Sequence, residues 1–354
     1  MNIGFVIHNI HLMGGTERSA CAVMNGLADK AQIHLIEVAG TDAPAYPLDP
    51  RINRTCLFTH PVSLLNSWPR ITVRLARLIR HLRLDALIIV ESTHALYAVL
   101  AARIAGVRSI VWEHFNFNVL LGKKKRGWGR RVAARWANDV ITLTQRDIAL
   151  WTDAACPKAH ITCIPNMAPA ASNIFSPAAH TVMALGRLTT QKGFDRLLAA
   201  WHMIEADPRS TDWMLQIVGE GPQQATLSQQ AEAMQRVRIE PPTKNVEKLY
   251  GEAGIVVSSS RYEGLPMVLL EACAYGIPVV AFDCETGPAE IITHGESGYL
   301  VPQGDIKGLA ETLLQLMASP ALRQKFSQAA SKNSDRFSKT MVMQKWTNLL
   351  DIPN

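Results

Sequence analysis

Two acids and two cations in the second half of this chain have the types and spacing to handle an anionic, hydroxyl-rich ligand. The acids are Glu263 and Glu271, in the segment SSSRYEGLPMVLLEACAYG from residue 258 to 276. Gly254 to Ser259 has the apolar run of a buried strand, Gly264 supplies a turn, and Pro266 fits the first helical position, where a missing N–H costs nothing. Such a strand-to-helix turn is where open α/β sheets bind nucleotides, because freed backbone amides and the positive helix end point above the sheet. Glu271 follows Glu263 by eight residues, so Glu263 stays in the loop and Glu271 lies about a turn inside the helix. One acid can reach a ribose and the other a substrate hydroxyl. Taken alone, the pair also fits an exposed loop acid and an ordinary helix-surface acid.

The cations are Arg187 and Lys192 in ALGRLTTQKGFDRLL, just past another strand. Arg offers a planar fork and Lys a point charge, a combination that suits a diphosphate. Nearby, IVGEGP (Ile217 to Pro222, with Gly219 in the turn) repeats the strand, glycine and helix-start design. In the first half, HNIHLMGGTERSA places Gly14 and Gly15 ahead of a helix from Thr16, whose positive end suits a phosphate. A plain turn with a cap fits the same residues. His114 ends SIVWEH at a strand's carboxyl end, either as a structural histidine or as a hydrogen-bond donor to a sugar hydroxyl or to developing charge.

The elements that must position these side chains follow from a regular alternation. Apolar strands at Ile3 to His8, Ile33 to Val38, Ala86 to Val90, Val107 to Glu113 and Val140 to Thr144 are separated by helical patterns, including helices from Pro69 and His94. The linker NMAPAASNIFSPAA, Asn166 to Ala179, breaks the rhythm. The alternation restarts with Thr181 to Gly186, a helix from Gly193, Trp213 to Val218, a helix from Pro222, Val237 to Ile239, Gly254 to Ser259 and Pro278 to Phe282. Strands alternating with helices of 10 to 15 residues imply parallel βαβ units. The expectation is two doubly wound α/β domains, at 1–170 and 171–336, whose loops face a common cleft, with a last helix in 337–354 crossing back to the first.

A chain of 354 residues with 48% hydrophobic content has ample core for two domains. Its six cysteines form no CxxC pair, so neither a zinc site nor a disulfide framework is signalled, and a reducing compartment is expected. With no basic leader before the first strand and no apolar run of about 18 residues, the chain reads as neither secreted nor integral to a membrane.

The net charge of +6 is unevenly placed. Residues 51–100 hold seven Lys/Arg against two Asp/Glu and residues 101–150 ten against three, a net +12, so the rest of the chain carries −6. WPRITVRLARLIRHLR sets Arg70, Arg74, Arg77 and Arg80 on one helical face. KKKRGWGRRVAARW mixes Lys123, Lys124, Lys125, Arg126, Arg130, Arg131 and Arg135 with Trp128 and Trp136, a composition suited to the headgroup layer of an anionic membrane. A solvated helix face and a loop would explain either stretch by itself, and no motif supports nucleic acid as the partner.

Taken together, Gly14-Gly15, His114, GRLTTQKG, VGEGP and the Glu263 to Glu271 block occur in the order and spacing of the retaining glycosyltransferases of family 4. The resemblance runs nearly the whole chain and is strongest over residues 181–302. It implies the GT-B fold, α/β with two Rossmann-like doubly wound parallel-sheet domains facing a central cleft. The second would hold a nucleotide-sugar donor and the first the acceptor. By that similarity Arg187 and Lys192 neutralise the donor diphosphate and the charge that builds as the glycosidic bond breaks. Glu271 binds the ribose, Glu263 the hexose hydroxyls, and the amides of Gly264, Leu265, Pro266 and Met267 surround sugar and phosphate, Pro266 having no N–H of its own. His114 touches the hexose, Gly15 covers the diphosphate, and Ile239, Glu240 and Pro241 lie against the base. Pro241 and Pro242 stand where the family commonly has glycine.

Gly287, Pro288 and Glu290 resemble the version found among transferases of galactose-type and related sugars in surface polysaccharide assembly. No DxD motif occurs, so Arg and Lys replace a metal clamp and no cofactor or metal is required. The resemblance therefore implies a cytoplasmic, peripheral-membrane enzyme. It would move galactose, glucose or an N-acetylhexosamine from a UDP-sugar to a lipid-linked or lipopolysaccharide-type glycan. Nucleotide-sugar epimerases, phosphorylases and non-catalytic partner subunits share the fold. Product analysis without acceptor separates the first two, and donor binding tests the third.

Overall fold

The computed structural model describes every residue except Thr41, Pro61, Lys123, Ala171, Lys244 and Asn354, and every side chain besides those of Leu64 and Leu65. The chain divides into two units, Met1–Met167 with Lys339–Asn354, and Ala168–Ser338.

Among the described residues, the first unit holds β1 (Asn2–Ile7), β2 (Gln32–Ala39), β3 (Asn53–Phe58), β4 (Ala86–Val90), β5 (Arg108–Trp112), β6 (Asp139–Thr142) and β7 (His160–Cys163). They form one parallel sheet in the order β3-β2-β1-β4-β5-β6-β7. Its helices are α1 (Gly15–Leu27), α2 (Leu64–His81), α3 (Ala95–Ala105), α4 (Lys124–Trp136) and α5 (Gln145–Ala155). The second unit holds β8 (Thr181–Leu185), β9 (Met214–Val218), β10 (Val237–Glu240), β11 (Ile255–Ser258), β12 (Val279–Asp283) and β13 (Gly298–Pro302), parallel in the order β10-β9-β8-β11-β12-β13. Its helices are α6 (Phe194–Glu205), α7 (Gln224–Ala231), α8 (Val246–Glu252), α9 (Met267–Ala274), α10 (Pro288–Ile291), α11 (Ile306–Ala318) and α12 (Pro320–Ser334).

Strand order reverses between β1 and β4 in the first sheet and between β8 and β11 in the second. A reversal opens a crevice beyond the carboxyl ends of the two central strands, because their following helices leave toward opposite faces. Central strands such as β4, ALIIV, are buried along their whole length, as a parallel sheet covered on both faces requires. α13 (Lys339–Leu349) belongs to the first unit: Trp346 is fully buried with its ring 4.8 Å from that of Trp112, and Arg108 donates to Leu349 O at 2.9 Å. Burying large apolar side chains at about 1.5–3 kcal/mol each is enough to hold such a short helix.

Three strands escape the sequence pattern, β3, β7 and β13, and all three are sheet edges. Their burial is partial, so their sequences NRTCLF, HITC and GYLVP lack the apolar run of a central strand. α2 begins at Leu64 rather than at Pro69, capped by Ser63, whose Oγ accepts from Asn66 N at 3.4 Å; Pro69 lies inside the helix, past its first turn, where its missing N–H forgoes one backbone hydrogen bond. α9 begins one residue later than the sequence suggests, with Pro266 as its N-cap, and α7 starts at Gln224 rather than Pro222.

Candidate active site

At the β8/β11 switch point the second unit brings Lys192 and Glu263 together. Lys192 ends a short 3-10 turn, Thr190–Lys192, and is held there by Gly193, whose φ of +66° lets the chain reverse. A Cβ at Gly193 would stand 2.1 Å from Ser259 O, so only glycine lets the two loops approach this closely. Cross-loop hydrogen bonds then fix them: Ser259 Oγ to Lys192 O at 3.0 Å, Gln191 Nε2 to Tyr262 O at 3.2 Å, and Arg261 N to Gln191 O at 2.7 Å. Arg261 also pairs with Asp195 at 2.6 Å. Lys192 Nζ donates to Glu263 Oε1 at 2.6 Å, and Ser260 Oγ donates to the same oxygen at 2.6 Å. Glu263 is 5% exposed, and its Oε2 accepts from no described residue. Thr286 Oγ1 donates to Glu263 O at 2.7 Å, and Gly287, at φ +106°, lets that loop close over Gly264 O.

Arg187 is exposed in the same loop as Lys192 and has no carboxylate partner among the described residues. The N–H groups of Gly264, Leu265, Met267 and Val268 donate to no described acceptor, while Leu269 N bonds Pro266 O at 3.1 Å. Two cations and amides without a described acceptor at a helix start are groups that can take an anion. Glu271, one turn further along α9, is buried, and its Oε2 accepts from Tyr250 OH at 2.7 Å. Tyr250 is wholly buried and stacks on Tyr275 at 5.0 Å, which fixes the direction of that acid. Gly219 N donates to Glu240 O at 2.9 Å, and beside β10 a pocket of about 280 Å³ is lined by Gln216, Glu240, Pro241 and Lys248. Ile239 points instead into the hydrophobic core of the unit.

In the first unit Gly14 is the N-cap of α1, which starts at Gly15. The Glu17 side chain folds back over Gly14, where a Cβ would meet its Oε2 at 2.4 Å, so an acid of the chain itself already faces this helix end. Burial raises the Glu17 pKa. His114 lies beyond β5, 6% exposed, its ring 4.5 Å from that of Trp112, and its Nε2 has no partner. Burial pushes its pKa down to about 3, so the ring is neutral and can donate one hydrogen bond but supplies no charge at neutral pH.

The loop carrying His114 is stapled by charges that are themselves buried. Glu113 Oε1 accepts from His114 N at 2.9 Å, Phe115 N at 3.1 Å and Arg126 at 3.0 Å. Its Oε2 accepts from Arg130 Nε at 2.9 Å and from Ser92 Oγ. Arg126 also pairs with Glu91, a non-glycine residue at φ +75°, and Arg130 donates to Phe117 O. Asp147 Oδ1 accepts from Phe117 N at 2.7 Å, and its Oδ2 from Trp151 Nε1 at 3.2 Å.

Comparison with known proteins identifies the family. The family model described as Glycosyltransferase Family 4 matches residues 13–170, and that described as Glycosyl transferases group 1 matches residues 172–333. An uncharacterized glycosyltransferase of Haemophilus influenzae is 31% identical over 353 residues, covering 98% of this chain and 99% of its own length. The chain belongs to the family 4 glycosyltransferases. The amylovoran biosynthesis glycosyltransferase AmsD of Erwinia amylovora is 29% identical over 98% of both chains. Among solved structures, HepE of Anabaena in complex with UDP and glucose matches with a TM-score of 0.79 at 19% identity, covering 99% of each chain. The lipopolysaccharide outer core galactosyltransferase WaaB matches at 0.80 and 19%, again with 99% of each chain covered. At such identities these two establish the fold, which is GT-B.

This family 4 glycosyltransferase departs from its sequence pattern at the basic run of α4. Arg126 is 2% and Arg130 0% exposed, so neither lies on a membrane or acceptor surface as their composition suggests. Burial, and secondarily the neighbouring Arg130, lowers the Arg126 pKa to about 10. Four-residue spacing turns both inward, and Gly129 lets α4 close on the backbone of Ser92, where a Cβ would stand 2.0 Å from the carbonyl oxygen. Lys124, Trp128 and Arg131 point outward and Lys125 is half-buried. Lys123 falls outside the described residues. On α2, Arg70, Arg74 and Arg77 are all exposed, and Arg74 also donates to Leu57 O at 2.9 Å and lies 4.4 Å over Phe58. Glu113, Tyr250 and Ser260 are the site residues that pattern reading misses. Among the described residues no cluster of three or more His, Cys, Asp or Glu is placed to hold a metal ion.

Proposed function

We propose that this protein transfers a hexose from a UDP-sugar, with retention of anomeric configuration and without a metal, to a lipid-linked or lipopolysaccharide-type glycan. The observation that carries the reading is the 2.6 Å contact of Lys192 with Glu263, beside Arg187 and the α9 amides, which have no carboxylate partner and no acceptor, respectively, among the described residues. In this reading the glycosidic C–O bond breaks toward the diphosphate, and Arg187 and Lys192 stabilise the negative charge that develops there. The free Oε2 of Glu263 accepts from a hexose hydroxyl, and Glu271, aimed by Tyr250, accepts from the ribose. Neutral His114 donates to the sugar. Gly15 lies on the diphosphate side, and Glu240 and Pro241 face the base.

The class of substrate is supported by relatives whose names carry amylovoran and lipopolysaccharide core biosynthesis, and the donor by solved neighbours that hold UDP or UDP-glucose. No described helix is long and apolar enough to cross a membrane. The reading has the enzyme acting peripherally, at the cytoplasmic face of the membrane, where exposed Arg70, Arg74, Arg77, Lys124, Arg131 and Trp128 would meet anionic lipid.

The test is UDP release across a panel of UDP-sugars, with and without a lipid-glycan acceptor, alongside thermal shifts with the same panel. Turnover with one sugar and an α-configured product from an α-configured donor is expected. Absence of transfer and of donor hydrolysis with every nucleotide sugar overturns the reading. Arg187→Ala should lower kcat by roughly 10²–10³-fold, comparable to loss of one oxyanion donor.

A further inference from the structure

α2, α3 and α4 pack side by side over one face of the first sheet and contain no Asp or Glu. A solvated protein face ordinarily interleaves both signs of charge. These three helices also carry six of the twelve exposed large hydrophobic side chains of the described molecule, including every exposed tryptophan, so the face is apolar as well as basic. At its edge, between the last turns of α3 and α4, lies a groove of about 540 Å³ lined by Arg103, Arg108, Arg135 and Trp136 with no acid. Arg108 is committed to Asp139 at 2.8 Å. Arg103 and Arg135 are exposed and have no carboxylate partner among the described residues, and the Trp136 ring is 52% exposed between groove and solvent. Cations in a helix's last turn complement its dipole, which accounts for each arginine singly. It does not account for the groove, for the indole, or for Leu100 and Ile104 at 41% and 45% exposure on the neighbouring turn of α3.

We infer that this three-helix face lies flat on an anionic bilayer and that the Arg103–Arg135–Trp136 groove seats a lipid phosphate. The inference extends the membrane-acceptor reading above, and brings in α3 and the far ends of the helices, which that reading leaves without a role. Charge complementarity selects the occupant: two unpaired guanidiniums bind a phosphate in forked geometry, and Trp136 and Ile104 sit at the depth where headgroups give way to acyl chains. Each cation near an anionic surface contributes about fivefold in partitioning, so reversal of two should lower it by well over tenfold.

The test is co-sedimentation of the full chain with vesicles of phosphatidylcholine alone or mixed with phosphatidylglycerol. Binding to the mixed vesicles and not to phosphatidylcholine is expected, weakened more than tenfold by Arg103→Glu with Arg135→Glu and by a smaller factor in Trp136→Ala. The control pair Lys307→Glu with Lys325→Glu, exposed on the other unit, changes net charge equally and should bind nearly as wild type. Equal losses in both pairs, binding unchanged by the first pair, or displacement of vesicles by millimolar inorganic phosphate would overturn the inference. Donor hydrolysis in detergent-free buffer should persist in the Arg103/Arg135 variant, which shows it folded. Hydrolysis without vesicle binding removes the docking inference alone, while vesicle binding without use of any nucleotide sugar supports the docking inference and removes the functional reading.

Discussion

Each unit of this glycosyltransferase places a buried glutamate just beyond the carboxyl end of a sheet strand, and the two are used in opposite ways. Glu113 is 1% exposed and accepts five hydrogen bonds, two from backbone, one from Ser92 and two from arginines that are themselves sealed from water. Glu263 is 5% exposed, but Lys192 and Ser260 share one oxygen and the other is left to face outward. Its cation is 22% exposed. A carboxylate with every lone pair engaged can only hold its own chain in place. One with a free oxygen and a partly solvated partner is able to meet a ligand. Burial and charge pairing look alike at the two sites, and the unfilled acceptor distinguishes them.

Removing each acid should therefore break different things. Glu113→Ala leaves Arg130 buried without its carboxylate partner and Arg126 with Glu91 alone, and loss of a buried pair costs about 3–5 kcal/mol. A urea titration should show the first unit destabilised by that amount, with the proposed donor binding by the second unit retained below the transition. If Glu113→Ala melts like wild type, its role as a structural anchor is wrong. Glu263→Gln should reverse the pattern: about 1 kcal/mol or less in stability, because Lys192 remains solvated, but roughly a hundredfold in kcat, on the scale of losing one transition-state contact. Tyr250→Phe sharpens the contrast, since it removes a hydrogen bond to the buried Glu271 carboxylate worth about 1.5–3 kcal/mol. Its expected signature is a raised KM for donor with a lowered melting temperature, measured on the same preparation.

The contrast also marks how far the sequence could be read. Lys192 and Glu263 are 71 residues apart and still meet, because strand-glycine-helix turns announce the loops of β8 and β11 and parallel topology sets those strands side by side. Arg126 and Arg130 were hidden by composition: a run of seven cations looks the same whether two of them face inward or none does. The available signal was Gly127 and Gly129, since a glycine inside a helix commonly marks a close approach of another backbone. Gly129 makes that approach against Ser92. Tyr250 gave no signal, because an aromatic on a short helix is ordinary core material until its hydroxyl is seen to reach Glu271. The edge strands were illegible for a related reason. Half-exposed strands need no apolar run, and β3 and β7 close the two sides of the first sheet with polar sequences.

The remaining predicted effect concerns Asp147 on α5, which holds Phe117 of the Glu113 loop. Burial raises the Asp147 pKa to about 7, against the lowering effect of its bond from Phe117 N. Because the folded pKa lies above the unfolded value of 3.8, the native state holds this proton more tightly. Its contribution to stability is then complete below about pH 4, falls as pH rises through about 7, and is level beyond. Asp147→Asn, which keeps an oxygen for Phe117 N and cannot ionise, should abolish this part of the slope. The measurement is the difference in urea midpoint between variant and wild type at about pH 5 and about pH 8, and the variant should gain relative to wild type at the higher pH. A difference that does not change with pH would mean that Asp147 stays ionised inside the fold, with the charge of Arg130 outweighing its burial.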